Sequence, residues 1–385
     1  MSRHRTTLHV GRLAGVPIGI QPLWLIIVGL LTYTLGNDYF PAQDPGLSSG
    51  AAYVLGLLSA LTLFAGILLH ELGHAVVARR RGVQVEEIDL WLLGGVSRLH
   101  GEPKAPGDEL RFALAGPAVT AVLLAIAGAA RLALGGVLPE WGRAVLDYQV
   151  YVNATILGFN LLPAFPLDGG RVARSLLWRR SGDRERSTDQ AAAIGRAFGI
   201  GLIVGGVLTF ASTGVGGLWL ALIGGFLFVA GKAEARQLHV QHALTGVTAA
   251  DVMSAPVITV PASATLESAV DSGFVAHLYG ALPVVDDTGR VIGLLSLRGV
   301  RAIPAARRSS VRAGDAVRAE PGLLISAETP ITDLMGRPEF ARIGRAVVVD
   351  HDERPLGIVS ITDVQRRVRA DDLRTDGMPD TRHAA

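Results

Sequence analysis

From Ala197 to Gly231 the chain runs 35 residues without one charged side chain, and that run sets the solvent in which this part must fold. A helix needs roughly 20 apolar residues to cross the hydrocarbon core of a bilayer. A run of this length, interrupted by Ser212-Thr213-Gly214-Val215-Gly216-Gly217, predicts a tight hairpin of two short spans; one long helix is the other reading. Uncharged apolar runs at about 18–35, 51–69, 112–130 and 148–167 supply four more span candidates. The first follows a basic N-terminal stretch that has the outline of a signal peptide, but no small-x-small cleavage site follows it, so it is read as a retained first helix.

Arginine placement gives an orientation. Arg3, Arg5 and Arg12 precede the first span, Arg79–Arg81 follow the second, and Arg171, Arg174, Arg179 and Arg180 follow the fourth, whereas loops 36–50 and 212–217 carry no Lys or Arg. The positive-inside rule then predicts a multi-pass cell-membrane protein of about six transmembrane helices with both termini cytoplasmic. A single helix over 197–231 would put the C-terminal part outside. Membrane lipid is thus one partner. The basic residues flank apolar segments and form no stripe, and the net charge is only +2, so no nucleic-acid partner is expected. There is no cysteine, which excludes disulfides, thiol nucleophiles and thiolate-bound metal. A metal here needs His and carboxylate ligands.

Such ligands occur where lipid makes them costly. His70-Glu71-Leu72-Gly73-His74 closes the second apolar run, and an ionisable group at membrane depth marks function by default. On a helix, residues i and i+4 share a face, so both imidazoles reach one zinc ion while Glu71 turns toward the attacking water. The plain alternative is a helix end whose polar groups snorkel to the interface. A later segment weighs against it: Asn160-Leu161-Leu162-Pro163-Ala164-Phe165-Pro166-Leu167-Asp168-Gly169-Gly170 offers a carboxylate, and its two prolines break the helix. Irregular backbone is tolerated at membrane depth only inside protein or beside water.

HELGH on one span and NLLPAFPLDGG on a later one resemble the intramembrane zinc metalloproteases of the site-2 protease family, in the bacterial branch with a C-terminal pair of CBS (cystathionine β-synthase-type) domains. The resemblance covers essentially the whole chain. It implies one zinc ion per chain held by His70, His74 and Asp168, with Glu71 as general acid/base and Asn160 as a substrate or oxyanion contact. Ile88–His100, broken at Gly94-Gly95, is similar to the family's membrane-associated strand or hairpin that holds an extended substrate; an interfacial loop is the alternative. Ala113–Val122 is similar to the family's Ala-Gly-Pro segment. It departs at Thr120, where an Asn is expected, which weakens any role for this helix and leaves Gly116-Pro117 as a packing and kink site. The implied substrate is another protein's transmembrane segment, such as that of a membrane-tethered anti-sigma factor.

The last third repeats itself: 281–300 matches 345–364, and each copy predicts a βαββα-like unit. These repeats resemble CBS domains, which implies an adenine nucleotide as ligand and homodimerisation. Ser360 and Asp363 would contact phosphate and ribose. The first repeat has Ser296 but Gly299 in place of the acid, so at most one well-equipped site is expected, and a purely structural pair is the other reading. His239 and His242 are expected on a solvated helix face, and His277 and His351 on the domain surface or in its core.

The expected fold class is therefore a polytopic α-helical membrane protein with a C-terminal α/β cytoplasmic CBS pair. Its parts are a metalloprotease domain at 1–232, a linker at 233–248, CBS domains at 249–306 and 307–371, and a polar tail at 372–385. The expected function is zinc-dependent intramembrane proteolysis, regulated through the CBS pair. The rival is a CBS-regulated transporter or channel. That reading needs two inverted halves with matching broken helices, and only one proline-broken span is visible.

Overall fold

A computed structural model of the protein describes residues 8–375, apart from 92–93, 101–102, 104, 278 and 318–320. The chain divides into two compact units between Leu238 and His239.

The first unit opens with strands β1 (Leu8–Leu13) and β2 (Val16–Ile20), joined by a turn in which Ala14 and Gly15 take positive φ. β2 runs parallel to β3 (Gln84–Trp91), which pairs antiparallel with β4 (Gly94–His100), giving the order β1-β2-β3-β4. This corrects the N-terminal reading: the apolar run from residue 18 begins as strand, and helix α1 starts only at Trp24 (Trp24–Thr34). Val16 and Ile18, two apart, are buried with Ile88 against Ala75, so the period is two here and becomes helical only afterwards. A single π-helical turn (Leu35–Tyr39) leads from α1 into α2 (Phe40–Gln43).

Helix α3 (Ser49–Arg80) starts at a Ser48 cap and ends on Arg79 and Arg80, which suit the negative end of the helix dipole. There follow α4 (Pro106–Leu134), α5 (Glu140–Asn160), α6 (Asp168–Ser181), α7 (Arg184–Thr213) and α8 (Val215–Leu244). The run 197–231 is thus two helices, divided at Gly214 with φ +53. They approach closely because glycines face backbone: a Cβ on Gly206 would lie 2.5 Å from the Gly217 carbonyl oxygen. Among the described residues four helices, α3, α4, α7 and α8, are long and apolar enough to cross a membrane. α1 has only 11 residues, and α5 carries Glu140, Arg143 and Asp147 in its 21. α8 continues helical to Leu244, through most of the stretch expected as a linker.

In the second unit, α9 (Ala249–Val252) precedes two similar halves. One holds β5 (Val260–Pro261), α10 (Leu266–Ala269), β6 (Ala281–Val285), β7 (Val291–Ser296), α11 (Leu297–Arg301) and α12 (Ala313–Ala316). The other holds β8 (Leu324–Ser326), α13 (Ile331–Gly336), α14 (Pro338–Ile343), β9 (Arg345–Val349), β10 (Pro355–Ser360) and α15 (Ile361–Thr375). Each sheet has one parallel and one antiparallel pairing, β5-β6-β7 and β8-β9-β10. Each half buries its own core, around Leu266, Leu282 and Leu295 in one and Ile331, Phe340 and Val359 in the other. Most of the expected tail lies outside the described residues.

Candidate metal centre

One turn apart on α3, His70 and His74 point into the helix bundle and are 6% and 4% exposed. Their Nε2 atoms stand 3.3 Å apart, and Asp168 Oδ2 lies 3.1 Å from the first and 3.2 Å from the second. The carboxylate arrives because α5 stops at Asn160 and the proline-bearing turn 161–167 swings the chain back before α6 begins at Asp168. Gly169 and Gly170 let α6 press on that turn. A Cβ on Gly169 would sit 2.2 Å from the Leu162 carbonyl oxygen, and one on Gly170 2.7 Å from the Phe165 amide nitrogen.

The opposite ring nitrogens fix the tautomers. His74 Nδ1 lies 2.8 Å from the carbonyl oxygen of Phe112, which can only accept, so Nδ1 carries the proton. His70 Nδ1 lies 2.9 Å from Thr120 Oγ1; that hydroxyl donates to the Gly116 carbonyl oxygen at 3.4 Å and accepts from the ring. In neutral imidazoles both Nε2 atoms then present lone pairs toward each other and toward a carboxylate, an arrangement that calls for a cation. Thr120, where an Asn was expected, therefore stands at the site as the orienting partner of His70.

Gly116 lets the two rings lie directly against α4: a Cβ there would fall 2.4 Å from His70 Nε2 and 2.3 Å from His74 Nε2, well inside contact distance. Two neutral imidazoles and one carboxylate suit a catalytic zinc ion with a fourth position open. Orienting partners of metal-bound histidines are typically worth 10- to 100-fold in affinity. Thr120→Val is thus expected to weaken zinc binding by about that factor, measured by competition with a chelator, with helical content unchanged.

The other expected site residues fall elsewhere. Glu71 is half-buried on the next position of α3. Asn160 lies at the end of α5, its Nδ2 donating to the Ile156 carbonyl at 3.2 Å, and does not join the three donors. Gly94 and Gly95 open β4 opposite Trp91 and Leu90, so the expected hairpin is present. β4 is the last strand of its sheet and packs beside α3.

In the second unit Ser360 and Asp363 line a cleft of about 220 Å³ with Ser254, Tyr279, Arg345 and Arg366. Asp363 Oδ2 accepts from the Ser360 amide at 2.9 Å and hydroxyl at 2.5 Å, and Oδ1 accepts from Ser254 Oγ at 3.1 Å. The Ser-x-x-Asp pattern therefore also caps α15. In the first half Ser296 Oγ accepts from the Gly299 amide at 3.1 Å, with no carboxylate at the matching position. Sequence reasoning read Thr120 as a departure that weakens the role of α4 and Gly116 as a packing site, whereas both touch the histidines; it overlooked the two arginines of the cleft.

The model of peptidase family M50 matches residues 58–139 and 136–204, and that of the CBS domain matches 249–305 and 321–370. Rip3 of Mycobacterium tuberculosis, which bears a provisional zinc-metalloprotease name, is 38% identical over 94% of this chain and 93% of its own length. The zinc metalloprotease MJ0392 of Methanocaldococcus jannaschii is 26% identical over 96% and 98%. The solved site-2 protease from the same archaeon is 26% identical, covering 60% of this chain and 95% of that one, with a TM-score of 0.38. The chain belongs to the M50, or site-2 protease, family of membrane metalloproteases and carries a C-terminal CBS pair.

Proposed function

We propose that this protein is a zinc-dependent intramembrane endopeptidase that hydrolyses a peptide bond in or near a transmembrane segment of another protein. The observation that carries the reading is the convergence of His70, His74 and Asp168 from segments 94 residues apart. One zinc ion per chain would be held by those three residues. When bound, zinc supplies Lewis acidity, which makes water a competent nucleophile near neutral pH and polarises the scissile carbonyl. Glu71 takes the proton of the attacking water on its carboxylate and returns it to the leaving amide nitrogen. Thr120 and the Phe112 carbonyl hold the imidazoles in the tautomer that leaves Nε2 unprotonated.

A transmembrane helix hides its amides in its own hydrogen bonds, so the substrate must be extended before attack. The outer edge of β4, entered through Gly94-Gly95, offers a ladder for such a strand. Asn160 would contact the bound chain near the turn that delivers Asp168. Six spans and cytoplasmic termini follow from arginine placement, with the hairpin of α7 and α8 in its support. In that topology the CBS pair meets cytoplasmic adenine nucleotide, with Ser360 and Asp363 as ribose and phosphate contacts, and regulates proteolysis. Regulation of this kind requires the nucleotide to bind two conformations unequally. A membrane-tethered regulator, such as an anti-sigma factor, fits the substrate class, and the CBS domains would pair two chains.

The test is zinc content and cleavage by the full-length protein in detergent. About one zinc per chain is expected, with cleavage of a test transmembrane substrate that a chelator stops and added zinc restores. Cleavage that survives complete zinc removal refutes the reading.

A further inference from the structure

The first unit buries an ion pair that the chemistry above does not use. Glu109, in the first turn of α4, is 1% exposed, and Arg174, on α6, is 4% exposed. Arg174 Nε donates to Glu109 Oε1 at 2.7 Å and Nη2 donates to the same oxygen. Nη1 reaches Glu234 Oε1 of α8 at 3.4 Å. The central carbon of the guanidinium lies over the Phe165 ring, 5.2 Å from its centroid. Phe165 belongs to the turn that ends at Asp168, is 1% exposed, and packs on Ala191 and Ala192 of α7 on another side.

Taking two such charges out of water is expensive, and apolar side chains of similar volume often serve stability as well or better. What an apolar side chain lacks is a planar group whose edge binds carboxylates while its face stacks on an aromatic ring; lysine lacks it too. Here that group ties α4 and α8 to a ring three residues before the expected metal ligand. The donor set tolerates little drift, because Asp168 Oδ2 must stay near 3 Å from both histidine nitrogens.

We propose that Arg174 is a positioning residue for Asp168: it clamps Phe165 against Glu109 and Glu234, so that the 161–167 turn delivers the carboxylate to the two histidines. In its link to zinc this rests on the metal site proposed above, but the clamp itself can be read without metal.

The experiment uses the full chain in detergent as wild type, Arg174→Lys and Glu234→Gln, first by amide hydrogen exchange without zinc. Arg174→Lys is expected to speed exchange at least about 10-fold in peptides spanning 161–170 and to leave α7 and the second unit unchanged. Glu234→Gln keeps the Glu109 bond and gives a smaller rise in the same segment, which serves should the lysine variant fail to fold. Zinc affinity is then expected to fall about 10- to 100-fold in Arg174→Lys, but not when the same change is made in Asp168→Ala, since the effect passes through that carboxylate. Exchange that stays unchanged at 161–170, or rises alike along the whole chain, overturns the proposal, as does an equal loss of affinity in the Asp168→Ala background. A wild type without zinc that still shows the confined exchange effect would sink the metal reading and leave the clamp standing.

Discussion

Glu71→Gln is expected to keep about one zinc ion per chain and to cleave a test transmembrane substrate about 100- to 10,000-fold more slowly, the range that a positioned proton-transfer group supplies. The two properties separate because Glu71 is not among the three converging donors: those atoms come from His70, His74 and Asp168 alone. Glutamine keeps the size and the hydrogen-bonding reach of the side chain but cannot accept the proton of the attacking water. The loss should therefore appear in kcat, with KM little changed, as for an interaction made only in the transition state. Measuring zinc by mass spectrometry and initial rates on one preparation decides the matter. Wild-type cleavage by Glu71→Gln would remove the carboxylate from the chemistry, and loss of zinc would recast it as a ligand or a structural group.

What could be read in the sequence was what local chemistry determines. HELGH needs only the helical repeat to bring two imidazoles together, and the prolines before Asp168 predict the break that the structure has between Asn160 and Asp168. The 64-residue repeat predicted the paired halves of the second unit because each copy carries its own strand pattern, although the core of the second half also takes in Leu244, Val247 and Ala249 from before the first half. The N-terminal hairpin stayed hidden because β2 and the start of α1 share one apolar run, and only the parallel partner β3, some 70 residues on, shows that the run begins as strand. Thr120 was misjudged by identity. A residue that departs from an expected Asn looked inert, yet its hydroxyl holds His70 Nδ1, a role that only the packing of α4 on α3 makes visible. The buried Arg174–Glu109 pair had no local signal, as its partners lie 65 residues apart.

Gly116→Ala puts the metal reading to its sharpest test, because helix energetics and metal chemistry pull in opposite directions. Gly116 has ordinary helical geometry, and alanine is the better helix former by up to about 1 kcal/mol, so helix propensity offsets part of the cost of moving the rings aside. Its new methyl carbon, however, would lie 2.3 Å from His74 Nε2 and 2.4 Å from His70 Nε2, so it collides with the two rings that must hold the ion. To make room the rings must turn away from Thr120 and the Phe112 carbonyl, which hold their far sides, and so leave the positions from which both Nε2 atoms face Asp168. We therefore expect Gly116→Ala to fold, to retain less than about a tenth of the bound zinc and to lose cleavage in proportion. Gly128→Ala, on the same helix with no heavy atom within 4 Å of the added carbon, should bind zinc and cleave as wild type does. Full zinc occupancy in Gly116→Ala would mean that binding does not depend on the two imidazoles as they are held against α4.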